Sequence, residues 1–193
     1  MPVKQSGRRR QSVPLTKSYL LLNHGPVVMI TSAAGERRNV MSAAWVAPLD
    51  FDPPKVMVVI DKKAYTRELV EASGEFVLNI PCQAIAAKVI AAGSSSGRDG
   101  DKLASIDLAT VNASQVGAPL LDECVAWLEC KVIPEPANAQ KYDLLIAEVV
   151  AASADPDVYS NGRWHFPNEA SRTIHYQAGG SFFATGETFD AGS

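Results

Sequence analysis

Short runs of β-branched and apolar residues, each stopped by glycine or proline, constrain this chain more than any other feature of it. Pro26-Val27-Val28-Met29-Ile30-Thr31-Ser32 lies between Gly25 and Gly35 and reads as a strand, with Ala34-Gly35-Glu36 as the turn after it. Residues 39–47 form a second run. After a break at Asp52-Pro53-Pro54, residues 56–60 form a third, expected to be buried on both faces. Residues 76–80 return to strand and stop at Pro81. Two longer runs follow: residues 124–133, with Cys124, Ala126, Leu128 and Cys130 on one face, and residues 142–152 beyond a turn at Pro134–Pro136. Helical spacing is confined to residues 65–72, ended by Gly74, and residues 83–92, ended by Gly93, with a polar loop over 94–101. Residues 173–187 mix aromatic side chains with Gly179-Gly180 and are expected to wrap the rest.

Helices that interrupt strands irregularly, instead of alternating with them, disfavour a doubly wound parallel sheet. The order predicts a mainly β fold, an antiparallel barrel with a few peripheral helices. At 193 residues the chain fits one domain, placed over 14–193 behind an N-terminal tail of residues 1–13. That tail carries Arg8-Arg9-Arg10 beside Lys4, read as a solvated segment and not a nucleic-acid patch. A net charge of −3 gives no global pull toward nucleic acid or an anionic membrane, and the apolar runs are too short to cross a bilayer. Cys82, Cys124 and Cys130 cannot all pair, and no signal-like hydrophobic stretch opens the sequence. A reducing cytoplasm with buried free thiols is therefore expected, and the Asn112-Ala113-Ser114 sequon carries no weight.

Gly93-Ser94-Ser95-Ser96-Gly97 satisfies G-x-S-x-G, the nucleophile elbow of serine hydrolases. The elbow must follow a strand and open a helix, whereas this string follows a helix and enters the charged loop Arg98-Asp99-Gly100-Asp101. No His or Cys pair has zinc-finger spacing, so no metal is expected, and neither G-x-G-x-x-G nor a Walker loop is present. What remains are small hydroxyl, amide and basic residues at strand ends. One set is Asn39-Val40-Met41-Ser42-Ala43-Ala44-Trp45. Another is Asp61-Lys62-Lys63-Ala64-Tyr65-Thr66-Arg67, at a strand-to-helix junction. Thr66 with Lys62 or Lys63 at a helix start can hold a phosphate; equally, Thr66 can serve the helix cap while the lysines are merely solvated.

Several of these pieces occur in an order that resembles the flavin reductase-like family of FMN-binding split barrels, close to its flavoredoxin-type branch. Asn39-x-Met41-Ser42-x-x-Trp45 is followed by Pro53-Pro54 and the run over 56–60, then Tyr65-Thr66 and Gly74-Glu75-Phe76-x-x-Asn79. Ser96-Gly97-Arg98-Asp99-x-Asp101-Lys102 comes next, then His175-Tyr176-x-x-Gly179-Gly180-x-Phe182 and Gly186-Glu187. The likeness covers residues 14–187; residues 156–170, with Trp164 and His165, match no motif.

The resemblance implies a Greek-key-like split barrel, a homodimer, and one FMN per subunit near the interface. By resemblance, residues 39–45 line the isoalloxazine ring, with Ser42 hydrogen-bonding its polar half. Lys62, Lys63, Tyr65 and Thr66 hold the phosphate, and the loop with Ser95, Ser96, Gly97 and Lys102 closes over the cofactor. Asn79 is a further contact or else a satisfier of backbone at its strand end, and His175 with Gly179-Gly180 reaches toward the neighbouring subunit's site. No protein acid or base is assigned, because the cofactor carries the chemistry. Two activities fit: hydride transfer from NAD(P)H to FMN and on to an acceptor, or an FMN electron carrier served by a redox protein partner. A barrel that has lost its flavin is the third reading.

Overall fold

The structure, a computed structural model, describes residues 11–22 and 25–192; Lys4, Arg8-Arg9-Arg10 and His24 lie outside the described residues. The main elements are β1 (Val28–Ala34), β2 (Arg37–Ala43), β3 (Val46–Phe51), β4 (Pro54–Val59), α1 (Tyr65–Ser73), β5 (Glu75–Ile80), α2 (Ala86–Ser94) and α3 (Lys102–Ser105). They are followed by β6 (Thr110–Val111), β7 (Leu120–Leu121), β8 (Ala126–Ile133), α4 (Pro136–Tyr142), β9 (Leu144–Ala154), β10 (Tyr159–Ser160), β11 (Arg163–Trp164), β12 (Ile174–Ala178) and β13 (Ser181–Ala184).

Seven strands form one antiparallel sheet in the order β2-β1-β5-β8-β9-β4-β3. Its two edges, β2 and β3, are consecutive in the chain, joined only through Ala44 and Trp45. In a flat sheet they would stand six strand spacings apart, roughly 29 Å at about 4.8 Å each. The three peptide steps from Ala43 to Val46 reach at most about 11 Å. The sheet must therefore curl until its edges approach, which makes a barrel split along the β2–β3 seam.

Alternation along the strands divides the core in two. Val28, Ile30, Ala43, Val56, Val58, Phe76, Leu78, Cys130, Leu145 and Ala147 pack inside the barrel with Val70 of α1. Val27, Met29 and Val40 point outward under α2 and α3, where they meet Val89, Ala92 and Leu103. The strands buried on both faces are thus β1, whose residues 28–32 are all buried, and its neighbour β5, buried over residues 76–79. The expectation for residues 56–60 is corrected: Val56, Val58 and Ile60 are buried, but Met57 and Val59 are only half-buried, Val59 because it lines an open cleft.

Other boundaries shift for local reasons. Residues 39–47 are two strands, because the chain turns from one sheet edge to the other at Ala44-Trp45. Gly74 stops α1 in the left-handed conformation, φ 74°, as its sequence position predicts. Gly93 does not stop the second helix, which runs on to Ser94 with its glycine facing Ser42 of β2. Cys124 lies ahead of β8 in the outer core, while Cys130 faces the barrel interior. After Pro134, where only a turn was expected, Pro136 opens α4 at a first-turn position that needs no N–H donor. Residues 174–184 form a separate β12–β13 hairpin. Residues 15–21 form a 3₁₀ turn without a single buried residue. Among the described residues no helix is long and apolar enough to cross a membrane.

Three buried polar side chains staple the connection 112–121 to the barrel flank. Glu129, 5% exposed, accepts from the backbone N–H of Ser114 (3.0 Å) and Gln115 (2.5 Å) and from the Ser114 hydroxyl (2.9 Å). Thr31 donates to the Pro119 carbonyl (2.5 Å), and Asn79 accepts from the Leu121 N–H (2.8 Å) while its amide donates to the Met29 carbonyl (2.9 Å). Burial alone would raise the Glu129 pKa, but these donors outweigh it and hold it below the ordinary value. A lowered folded-state pKa stabilises above the unfolded-state value and loses that contribution as pH falls through the folded one. Glu129→Gln is expected to cost about 1.5–3 kcal/mol at pH 7. The gap between the two proteins' melting temperatures should close below about pH 4, near the reference carboxyl range; thermal melts across pH 3–7 check this.

Candidate functional site

Two adjoining clefts that share Met41, Ser42, Gly93 and Ser94 open along β2 and the Ala44-Trp45 link at the seam's end. The larger, about 730 Å³, is walled by Met41, Ala43, Ala44, Trp45, Val59, Val89 and Ile90, with Tyr19, Tyr142 and Tyr176 at its sides. The smaller, about 370 Å³, lies between β2, the start of α1 and the loop that follows α2. Both volumes fall within the range of about 300–1,000 Å³ usual for small-molecule sites.

Charge divides the two. The smaller cleft is lined by Lys63, Arg98 and Lys102 and by no carboxylate; the larger is lined by Asp61 and Asp143 and by no lysine or arginine, among the described residues. Lys102 is 5% exposed and donates to the Ala92 carbonyl at 2.8 Å. Burial pushes its pKa below the ordinary lysine value, and two of its three N–H donors remain for the cleft. Asn39, 2% exposed, donates to the Thr66 hydroxyl at 2.8 Å, and its Oδ1 has no partner. Gly97 covers that oxygen; Thr66 can donate as well as accept, so a half-turn of the Asn39 amide keeps this bond and turns an NH₂ group to the side that Gly97 covers. A buried amide with a free end is costly in an apolar wall and useful beside a polar ligand.

The outer wall is the segment 95–101. Ser96 accepts from the Arg98 N–H (3.2 Å), and Arg98 donates to the Lys63 carbonyl (2.9 Å) and to Glu68 (3.3 Å) with its guanidinium over the Tyr65 ring. Arg38 of β2 holds Asp101 at 3.0 Å. Gly97 sits directly on Asn39 and Tyr65: a Cβ there would lie 2.1 Å from Asn39 Oδ1 and 2.8 Å from the Tyr65 ring.

Of the residues singled out in the sequence, Asn39, Met41, Ser42, Lys63, Tyr65, Thr66, Ser95, Ser96, Gly97 and Lys102 meet around the smaller cleft, and Met41, Ser42, Ala43, Ala44 and Trp45 line the larger. Ser42 also donates to the Val89 carbonyl at 2.5 Å, tying α2 to β2. Four residues are not brought there. Val40 points the other way from its strand and is fully buried under α2. Asn79 is fully buried with both ends of its amide engaged on backbone, so it staples the barrel flank. Lys62 is exposed and lines neither cleft, and His175 lies on β12 outside both while its neighbour Tyr176 and Gly180 reach the larger one. Asp61, named with the strand-end set, lines the larger cleft; Gly93, Tyr142 and Asp143 were missed as site residues. Their place depends on where α2 and α4 end against the seam, which no local pattern reveals.

The Gly93–Gly97 string begins in the last turn of α2, and Ser95 is that helix's C-cap, not a strand-to-helix elbow. Among the described residues no group of His, Cys, Asp or Glu side chains could hold a metal ion. The three cysteines are free and buried; burial pushes the Cys124 thiol up and the Cys130 thiol up to about 12, so neither of these two is poised as a nucleophile.

Residues 21–175 match the model of the flavin reductase like domain. The chain belongs to the flavin reductase-like family. An uncharacterized Escherichia coli K12 protein, YddH, is 43% identical over 183 residues, covering 93% of this chain and 97% of that one. An FMN-binding domain of a flavin reductases-like enzyme from Shewanella baltica OS155 superposes with a TM-score of 0.84 at 45% identity, covering 93% of this chain and 96% of the other. Flavoredoxin of Desulfovibrio vulgaris (Miyazaki F) shares the fold, with a TM-score of 0.76 at 24% identity over 98% of this chain and 96% of its own. The expected mainly β split barrel is the fold of this flavin reductase-like chain.

Gly97→Ala is expected to push the 95–101 segment off Asn39, since the buried, hydrogen-bonded Asn39 amide and the Tyr65 ring leave the new methyl no room. Amide hydrogen exchange should then speed up over residues 95–100 while the melting temperature shifts by only a few degrees, roughly the effect of about 1 kcal/mol.

Proposed function

We propose that this chain is an FMN-binding oxidoreductase that takes hydride from NAD(P)H and delivers the electrons to an acceptor. The observation that carries this reading is the division of one continuous cleft into a cationic, hydroxyl-lined end and a larger apolar end. FMN has the same division: a phosphate with close to two negative charges and a flat ring system. The two unused donors of Lys102 are the fit test, because a polar anionic ligand explains them; the unpartnered Asn39 oxygen lies at the same end, beneath Gly97.

Lys63, Lys102, Thr66 and Asn39 would hold the phosphate, with the hydroxyls of Ser95 and Ser96 beside it. Met41, Ala44 and Trp45 would flank the ring, and Ser42 would keep α2 in place behind it. When bound, the flavin supplies the redox chemistry, hydride in and electrons out, which the protein's own side chains cannot. Asp61 and Asp143 disfavour an anion in the larger chamber, so the phosphate is directed to one end only. The apolar wall excludes water and strengthens every polar contact at the other end.

Leu49 and Phe51 on the β3 edge are exposed, as are Trp45 and the leucines of the 3₁₀ turn over 15–21. An apolar edge strand invites pairing, and a second copy of the chain would cover it beside the cleft, which supports the homodimer. Sedimentation at twice the chain mass is the outcome expected.

The freshly purified protein, or the apoprotein given FMN, is expected to be yellow and to bleach on addition of NADH or NADPH under anaerobic conditions. Bleaching only by dithionite or a reduced protein would instead make it an electron carrier. Colourless protein that takes up no FMN overturns the proposal. Within the site, Lys63→Ala should weaken FMN binding about tenfold, as the loss of one charge-assisted contact does. Lys62→Ala, outside the cleft, should leave it unchanged; fluorescence titration separates the two.

A further inference from the structure

We propose that the 95–101 segment is an electrostatic clasp over the phosphate end of the cleft and that Arg98 is the positioning residue that keeps it shut. The inference rests on the FMN reading above, and it adds that FMN is an exchangeable ligand whose residence time the clasp sets.

The segment is anchored in the core only at its two ends, by Ala92 on one side and by Lys102 and Leu103 on the other. None of its residues is buried, and Gly97 alone is half-buried. Between those ends it is held by polar contacts at the surface. Arg98 reaches three neighbours at the start of α1: the Lys63 carbonyl, the Glu68 carboxylate and the Tyr65 ring. Asp101 is held by Arg38. Both ion pairs are about half exposed, Arg98 and Glu68 at 47% and 45%, Arg38 and Asp101 at 45% and 44%. Pairs of that kind contribute little each and are screened by salt.

Glu68 makes opening cheap. It also pairs with Arg37 of β2 at 2.7 Å, so when Arg98 leaves, the carboxylate stays compensated. Arg37 thus joins α1 to β2 without touching the segment, while Arg98 joins α1 to the segment. When the clasp is closed, Gly97 lies on Asn39 and Tyr65 with no space for a side chain, which seals the end where Asn39, Thr66 and Lys102 converge. A seal held by two screened pairs and no buried anchor closes over a ligand without trapping it.

The test is the release rate of FMN, read as recovery of its fluorescence when the loaded protein is mixed with an excess of an FMN-scavenging apoflavoprotein. Arg98→Ala should release FMN about fivefold faster, the effect of losing one weak ion pair with its attendant contacts. Arg38→Ala should act in the same direction. Arg37→Ala, which leaves the segment's own contacts intact, should not speed release. Raising salt from 0.05 to 0.5 M should accelerate release more from the wild type than from the Arg38→Ala/Arg98→Ala double variant, in which only the lysine–phosphate contacts remain to be screened. Wild-type release rates in both single variants, or a salt effect as large in the double variant as in the wild type, would overturn the clasp while leaving FMN binding intact. Failure of the wild-type chain to quench FMN fluorescence at any concentration overturns the FMN reading and the clasp with it.

Discussion

Ala44 and Trp45 join two strands that stand at opposite ends of the sheet order, and most of the architecture follows from that short link. Because two residues cannot bridge the width of a seven-stranded sheet, the sheet curls, its inner face closes on Val58, Phe76 and Leu78, and a seam is left between β2 and β3. The seam is where backbone pairing ends, and side chains of β2 and of the Ala44-Trp45 link face open space beside it. A ligand cleft there needs no special motif. It is a consequence of closing a barrel incompletely.

What the seam can bind is then set by the elements that flank it. The helix pair α1 and α2 approaches from opposite sides of β2, tied to it by the Asn39–Thr66 bond in one case and the Ser42–Val89 bond in the other. Their meeting places cations and hydroxyls at one end, whereas β4 and the end of α4 place Asp61, Asp143 and apolar residues at the other. Charge separation along one cleft orients an amphipathic ligand before any close contact forms. The dissected roles of neighbouring residues follow from strand periodicity: Asn39 and Met41 look toward α1, Val40 into the helix-covered core.

Local chemistry was legible where it is decided locally. The strands, the Gly74 cap and the residue types gathered at strand ends all read directly from the chain, and ordered motifs carried the family resemblance. Long-range packing decided the rest. That β1, not the apolar run after Pro54, is buried twice depends on which outer face receives α2. Asn79 has the composition of a ligand but the surroundings of a staple, since Thr31 and Leu121 come to it from distant parts of the sequence. Lys62 and Lys63 are indistinguishable as letters, yet only Lys63 faces the cleft.

The central claim is that one end of the seam recognises phosphate and the other a flat ring. Its most direct measurement compares the affinity of the apoprotein for FMN and for riboflavin, which share the ring and differ only in the phosphate. Two charge-assisted contacts at about 1.5–3 kcal/mol each imply that FMN binds at least roughly a hundredfold more tightly, with the difference shrinking as salt is raised. Equal affinities for the two, independent of salt, would contradict the account.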